Sequence, residues 1–273
     1  MLTVIVRSHG GYVAVSAPDG VLSVLADEFG AVAEVRVDAD GGPVEAGADV
    51  RFRLLRNERG DGGLLTRDDE TVSRGETLGV LGRMLISEVH LAIAVHARDA
   101  VFVHAGVVTW NGRAIVIPGR SMSGKSTLVH ALVGAGATYY SDEYAVLDHA
   151  GFVHPYAKPL SIRREDGTND HVAPKSAGLV GSEPAPVGLI VSTYFDPIAT
   201  WEPEVIEGSR AALPLIDNTV AARIQPARML EAAAATISSG ASCIKGARPD
   251  AGQVIADLKE RVSAESTVGS QSD

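Results

Sequence analysis

The chain has 273 residues, 45% of them hydrophobic, enough to bury a sizeable core as one large domain or as a small one beside a larger one. Its 24 basic and 34 acidic residues give a net charge of −10, and with no local basic stripe to offset it, nucleic acid is excluded as the main partner. The single cysteine, Cys243, excludes an intramolecular disulfide and a cysteine-cluster metal site, so a reducing, cytoplasmic setting is expected.

Met1 to Arg7 has no apolar signal core behind it, and "HLAIAVHARDAVFVHAGVV" is interrupted by His96, Arg98, Asp99 and His104, so no membrane span is expected. Up to Glu70 the chain reads as short strands, "LTVIVRS", "AVAEVRVDA" and "DVRFRLLRN", separated by turn-rich stretches. Leu78, Leu81, Leu85, Val89 and Ile93 then recur at helical spacing, which predicts a long helix linking a small N-terminal α+β lobe, residues 1–98, to the rest of the chain. His90 and His96 lie six apart, off a common helical face, and read as ordinary core or surface histidines.

A second domain is expected over residues 99–262, of α/β class with a mixed sheet. "VVTWNGRAIVI" reads as a hairpin turning at Asn111-Gly112, and "TLVHALVGAGA" as a short helix ending at glycines. "TYYSDEYAVLDHAGFVHPY" reads strand, turn, strand. Residues 165–186 lack periodicity and read as a loop, either a surface insertion or a flap over a substrate. "VGLIVSTYF" is a buried strand, "RMLEAAAATISSG" and "AGQVIADLKERV" are helices, and 263–273 is a polar tail expected to be disordered.

The chemistry concentrates in "GRSMSGKS", where Gly119, Gly124, Lys125 and Ser126 satisfy the phosphate-loop spacing G-x-x-x-x-G-K-[ST]. Glycines let successive amides, including those of Ser121 and Ser123, curl inward, and a helix beginning near Lys125 and Thr127 adds its positive end. Lys125 reaches the β and γ oxygens of a nucleotide, and the Ser126 hydroxyl can hold Mg²⁺. Moving a phosphate also needs a carboxylate for the metal and a group that takes the acceptor's proton. Asp142 and Glu143 in "YYSDEY" are the candidates, although strand neighbours face opposite ways unless the strand ends or bulges there. His104 in "VFVHAG" closes a β-branched run and could be structural or catalytic. Arg163 and Arg164 could clamp a phosphate or stay solvated; Lys158 is similar, and Arg223 and Arg228 are weaker candidates.

At these residues the sequence resembles the HPr kinase/phosphorylase superfamily, whose kinase fold is shared with phosphoenolpyruvate carboxykinase. The matching elements, in order, are His104 in "VHAGVV", the loop "GRSMSGKST", the pair Asp142-Glu143 beginning seventeen residues after Lys125, and "HPYAKPLSIRRE". The resemblance implies ATP- and Mg²⁺-dependent transfer of phosphate to a serine-type hydroxyl. Lys125 and Ser126 would grip phosphate and metal, the acidic pair would supply a metal ligand and a base, and His104 would stand beside the transferred phosphate.

Three features depart from the family pattern: Thr127 replaces the usual glutamate, Glu143 stands where a second aspartate is usual, and the glycine-rich signature tied to dephosphorylation has no clear match. The N-terminal lobe also differs. The closer likeness is to shorter HPr-kinase-related proteins, which act on serine in natural-product precursor peptides or on free serine. Full HPr kinases are hexamers, so a homo-oligomer is possible. The readings left open are therefore a peptide or protein serine kinase, a small-molecule hydroxyl kinase, a non-catalytic ATP-sensing regulator and a plain hydrolysing NTPase.

Overall fold

The computed structural model describes residues 2–38, 47–119, 123–158, 160–163, 169–172 and 178–264. They form two compact units, Met1–Asp99 and Ala100–Asp273, each a mixed sheet with helices.

In the first unit the elements run β1 (Thr3–Ser8), β2 (Gly11–Ser16), α1 (Asp19–Phe29), β3 (Glu34–Asp38), β4 (Val50–Arg56), β5 (Gly63–Arg67), β6 (Glu70–Arg74) and α2 (Leu78–His96). The sheet order is β3-β1-β2-β4-β5-β6, antiparallel except between β2 and β4. The Thr77 side chain caps α2 by accepting the Val80 amide at 3.4 Å. By length and composition alone α2 could cross a membrane, but its Leu81, Leu85, Val89 and Ile93 stripe is buried, and the helix packs on β2, β4 and β5. The expected linking helix is thus a core helix of its own unit. His90 is a core histidine, its ring centroid 4.1 Å from that of Phe29 and its Nε2 3.4 Å from Glu28 Oε1.

The second unit is built on β7 (Val101–Trp110), β8 (Arg113–Pro118), α3 (Lys125–Gly134), β9 (Thr138–Ser141), β10 (Tyr144–Leu147) and β11 (Phe152–His154). Next come β12 (Leu160–Arg163), β13 (Asn169–Val172), β14 (Ala185–Phe195), β15 (Glu204–Val205), a 3₁₀ turn at Gly208–Ala212, α4 (Leu213–Asp217), α5 (Pro226–Ser238), β16 (Ser242–Arg248) and α6 (Ala251–Ala264).

Its main sheet has the order β11-β10-β7-β8-β14-β16-β15, with β9 also paired to β7. β8, β14 and β16 are mutually parallel, whereas β7 runs antiparallel to β8. The hairpin turns at Asn111 and Gly112, both at positive φ (50° and 76°).

Strand alternation divides this sheet's core between two faces. Val101, Val103, Ala105 and Val107 of β7 join Val116, Ile190 and Cys243 beneath α5, while Val108, Ile115, Ile117, Leu189, Val191 and Ile244 pack against α3 and α6. Gly106 belongs by alternation to the α3 face, and a Cβ there would collide with Val129 Cγ2, so the missing side chain lets α3 lie close to β7.

Two expectations change. The aperiodic stretch 165–186 includes β13, which pairs with β12, and Gly181, whose amide bonds the Tyr139 carbonyl at 2.9 Å; residues 164–168 and 173–177 lie outside the described part. The final helix extends to Ala264, so Ser263 and Ala264 of the expected tail are helical, and 265–273 are outside the described residues.

Candidate active site

The period-2 rule fixes the site's first member. His104, two residues before Gly106 on β7, faces the side of the sheet that α3 covers. Its cross-strand partner on β10 is Tyr144, with ring centroids 5.1 Å apart, and Phe102, Tyr144 and Tyr156 form an edge-to-face aromatic cluster beside it. Burial first, and then the Lys125 ammonium, hold the His104 imidazole below the usual histidine range, so it is neutral at neutral pH. In that state it offers one donor and one acceptor nitrogen.

β8 runs into the glycine-rich turn. The Gly119 amide donates to the His104 carbonyl at 3.0 Å, which fixes the start of the turn against β7. Gly124 precedes α3 at φ 84°, in the left-handed region, and its carbonyl accepts both the Leu128 amide (3.1 Å) and Arg248 Nη2 (2.8 Å). A Cβ on Gly124 would run into that guanidinium. A Cβ on Gly119 would lie 2.7 Å from Ser123 Oγ, and among the described residues this hydroxyl is buried with no hydrogen-bond partner. Lys125 opens α3 and is half-buried; burial pulls its ammonium below the usual lysine range, and Asp142 pulls it back up.

The acidic pair occupies a break in one strand. β9 ends at Ser141, opposite Val107, and β10 resumes at Tyr144, opposite His104, so Asp142 and Glu143 fall between two segments that both pair with β7. Ser141 Oγ accepts the amides of Glu143 (3.2 Å) and Tyr144 (3.0 Å), and Ala105 donates its amide to the Glu143 carbonyl at 3.0 Å. The two carboxylates have different neighbours. Asp142 is buried and accepts from Tyr139 Oη at 3.2 Å, with Lys125 in electrostatic reach; Glu143 is more exposed and pairs with Lys158 Nζ.

No protein-family model matches the chain, and no curated protein does. Among solved structures, the chain matches that of the HPr(Ser) kinase/phosphatase from Coxiella burnetii. The match covers 62% of this chain and 97% of the other at 17% identity and a TM-score of 0.37, a level that supports no argument about activity.

The remaining sequence candidates divide between the start of α3, the exposed surface and residues outside the described part. Ser126 and Thr127 lie in the first turn of α3, the former partly buried and the latter exposed. Ser121, Arg164 and the side chain of Arg163 lie outside the described part. Arg223 is exposed, and Arg228, exposed on α5, donates to Gln225 Oε1 at 3.1 Å.

Arg248 is not among the sequence candidates. It is 2% exposed, held by the carbonyls of Gly124 and Pro249. An arginine ending a short lysine-containing strand carries no signal of its own; only the pairing of β16 with β14 puts it beside the turn.

The arrangement suits a phosphate chain. Two donors stand at the start of a helix, the buried Ser123 hydroxyl, which has no hydrogen-bond partner among the described residues, and the half-buried Lys125; residues 120–122 of the glycine-rich stretch lie outside the described part. For Mg²⁺ bound through phosphates, one or two carboxylates and a hydroxyl suffice, and Ser126, Asp142 and Glu143 are of that chemistry. Among the described residues no three His, Cys, Asp or Glu side chains make a self-contained metal site.

Proposed function

We propose that this chain is an ATP- and Mg²⁺-dependent phosphotransferase that moves the γ-phosphate onto a serine-type hydroxyl of a peptide or protein. The observation that carries the reading is the mutual placement of Lys125, His104 and Asp142. The His104 carbonyl accepts the Gly119 amide and the next amide, of Ala105, donates to the Glu143 carbonyl, so the imidazole, the residues leading to Lys125 and the acidic turn meet at one part of β7, where burial and the nearby Lys125 charge both favour a neutral imidazole.

In this reading Lys125 and the amides around Gly124 hold the β and γ oxygens, and Ser123 Oγ donates to the same chain of phosphates. Asp142 takes the proton of the acceptor hydroxyl. The acceptor oxygen forms its bond to the γ-phosphorus as the bridging bond breaks, and the electron pair of that bond leaves with ADP. His104 donates to a phosphoryl oxygen without adding a second positive charge next to Lys125. Ser126 and Glu143 would hold Mg²⁺, which would supply charge neutralisation for the phosphate chain. The pairing of Glu143 with Lys158 is what favours Asp142 over Glu143 as the base.

The test is transfer of label from γ-labelled ATP into two pools, serine-bearing peptides and hydroxyl metabolites. Transfer into peptides, lost in Lys125→Ala, is the expected outcome. Label appearing only in a metabolite would move the acceptor to a small molecule, and ATP binding with no transfer would leave a nucleotide-binding regulator.

A further inference from the structure

On the far side of the glycine turn from the acidic pair, the carboxyl ends of two parallel strands carry an aromatic ring and a cation. Alternation from Leu189 and Val191 puts Phe195 of β14 on the α3 face, and alternation from Ile244 does the same for Arg248 of β16. The two are register partners. The Arg248 guanidinium carbon stands 5.6 Å from the Phe195 ring centroid, and Phe195 Cβ is 3.7 Å from where a Cβ on Gly124 would be. Phe195 nevertheless keeps 48% of its surface exposed, although it sits between a buried arginine and the start of α3.

The sheet order places this ring relative to the candidate site. Across β10, β7, β8, β14 and β16 the order of groups is acidic turn, His104, glycine turn, Phe195, Arg248. For a triphosphate whose terminal phosphate faces Asp142 and His104, β14 and β16 lie on the side of the glycine turn opposite that phosphate, where its nucleoside can extend. In open α/β sheets that crevice, outside the carboxyl ends of parallel strands, is where ligands lie.

We propose that Phe195 is the wall on which the base of the bound nucleotide stacks, its ring backed on one side by Arg248. This rests on the phosphotransferase reading above and extends it to the nucleoside end of the ligand. A flat aromatic base is the ligand chemistry that fits an exposed ring beside a phosphate recess, because every base offers a π-face whatever its edge groups.

Calorimetric titration of the full chain with Mg²⁺-ATP and with Mg²⁺-tripolyphosphate tests it. Phe195→Ala should weaken ATP binding about tenfold and leave tripolyphosphate within about twofold, since only ATP has a base to stack. Phe195→Trp should retain ATP affinity, and its added emission, beyond that of Trp110 and Trp201, should change with ATP and not with tripolyphosphate.

Equal weakening of both ligands by Phe195→Ala, unchanged ATP binding, or no ATP response of the added emission in Phe195→Trp would each overturn the wall. A Phe195→Ala variant that keeps its ATP affinity but needs more acceptor would assign the ring to the acceptor and overturn the wall likewise. Binding of neither ligand by the wild-type chain would remove the phosphate recess itself, a failure distinct from the others.

Discussion

The backbone carbonyl of His104 accepts the Gly119 amide at 3.0 Å. One residue on, the Ala105 amide donates to the Glu143 carbonyl at 3.0 Å, so two adjacent positions of one strand tie down both the glycine turn and the acidic turn. The spacing between the glycine turn and the acidic turn is thus set by sheet hydrogen bonds, which are stiffer than loop contacts.

The two carboxylates should separate by kinetics. Asp142→Asn should lower kcat by about 100- to 10,000-fold, the usual worth of a positioned base. Glu143→Gln should instead raise the Mg²⁺ concentration needed for half-maximal rate and keep most of kcat at saturating metal. A Mg²⁺ titration of both variants reads the split, and the reversed pattern would exchange their roles.

Gly124 should not tolerate a side chain. Its φ of 84° and the guanidinium in its Cβ position predict that Gly124→Ala costs about 1–3 kcal/mol, read by urea unfolding. Gly134, at the other end of the same helix with open space around it, is the control: Gly134→Ala should be neutral or gain up to about 1 kcal/mol.

Gly106 and Val129 should show coupling. Gly106→Ala alone drives a methyl into Val129 and should destabilise by about 1–3 kcal/mol. Adding Val129→Ala makes room for it, so the double variant should lose less than the sum of the single losses. Additive losses in the double-mutant cycle would place α3 farther from β7.

Much of this is legible without the fold. The β7–β8 turn at Asn111-Gly112, the glycine spacing and the start of α3 follow from local rules that tertiary context does not override here. The break between Ser141 and Tyr144 is recognisable only as a requirement, that two adjacent carboxylates need an interrupted strand; the pairing of β9 and β10 with one strand supplies it. Arg248 and Phe195 are illegible because parallel pairing across more than 50 residues of sequence brings them together. In the first unit α1 is missing from the sequence reading although Leu22, Leu25 and Phe29 share one face, because the neighbouring alternation suggests a run of strands.

His104 gives a pH dependence with a definite sign. Its folded pKa is depressed, so the unfolded chain takes up this proton first, and stability falls as pH drops below the ordinary histidine value of about 6.5 toward the folded value. Above that window the contribution is fully present. His104→Gln should flatten this part of the profile, measured as the urea midpoint between about pH 7.5 and 5. An unchanged slope would mean that His104 titrates normally.

The most direct measurement of the central claim is a crystal structure of the chain with Mg²⁺ and a non-hydrolysable ATP analogue. The account predicts the γ-phosphate within hydrogen-bonding distance of Lys125 Nζ, with Asp142 and His104 flanking it. A triphosphate bound elsewhere, or seated in the glycine turn with all three of Asp142, Glu143 and His104 out of reach of its terminal phosphate, would contradict it.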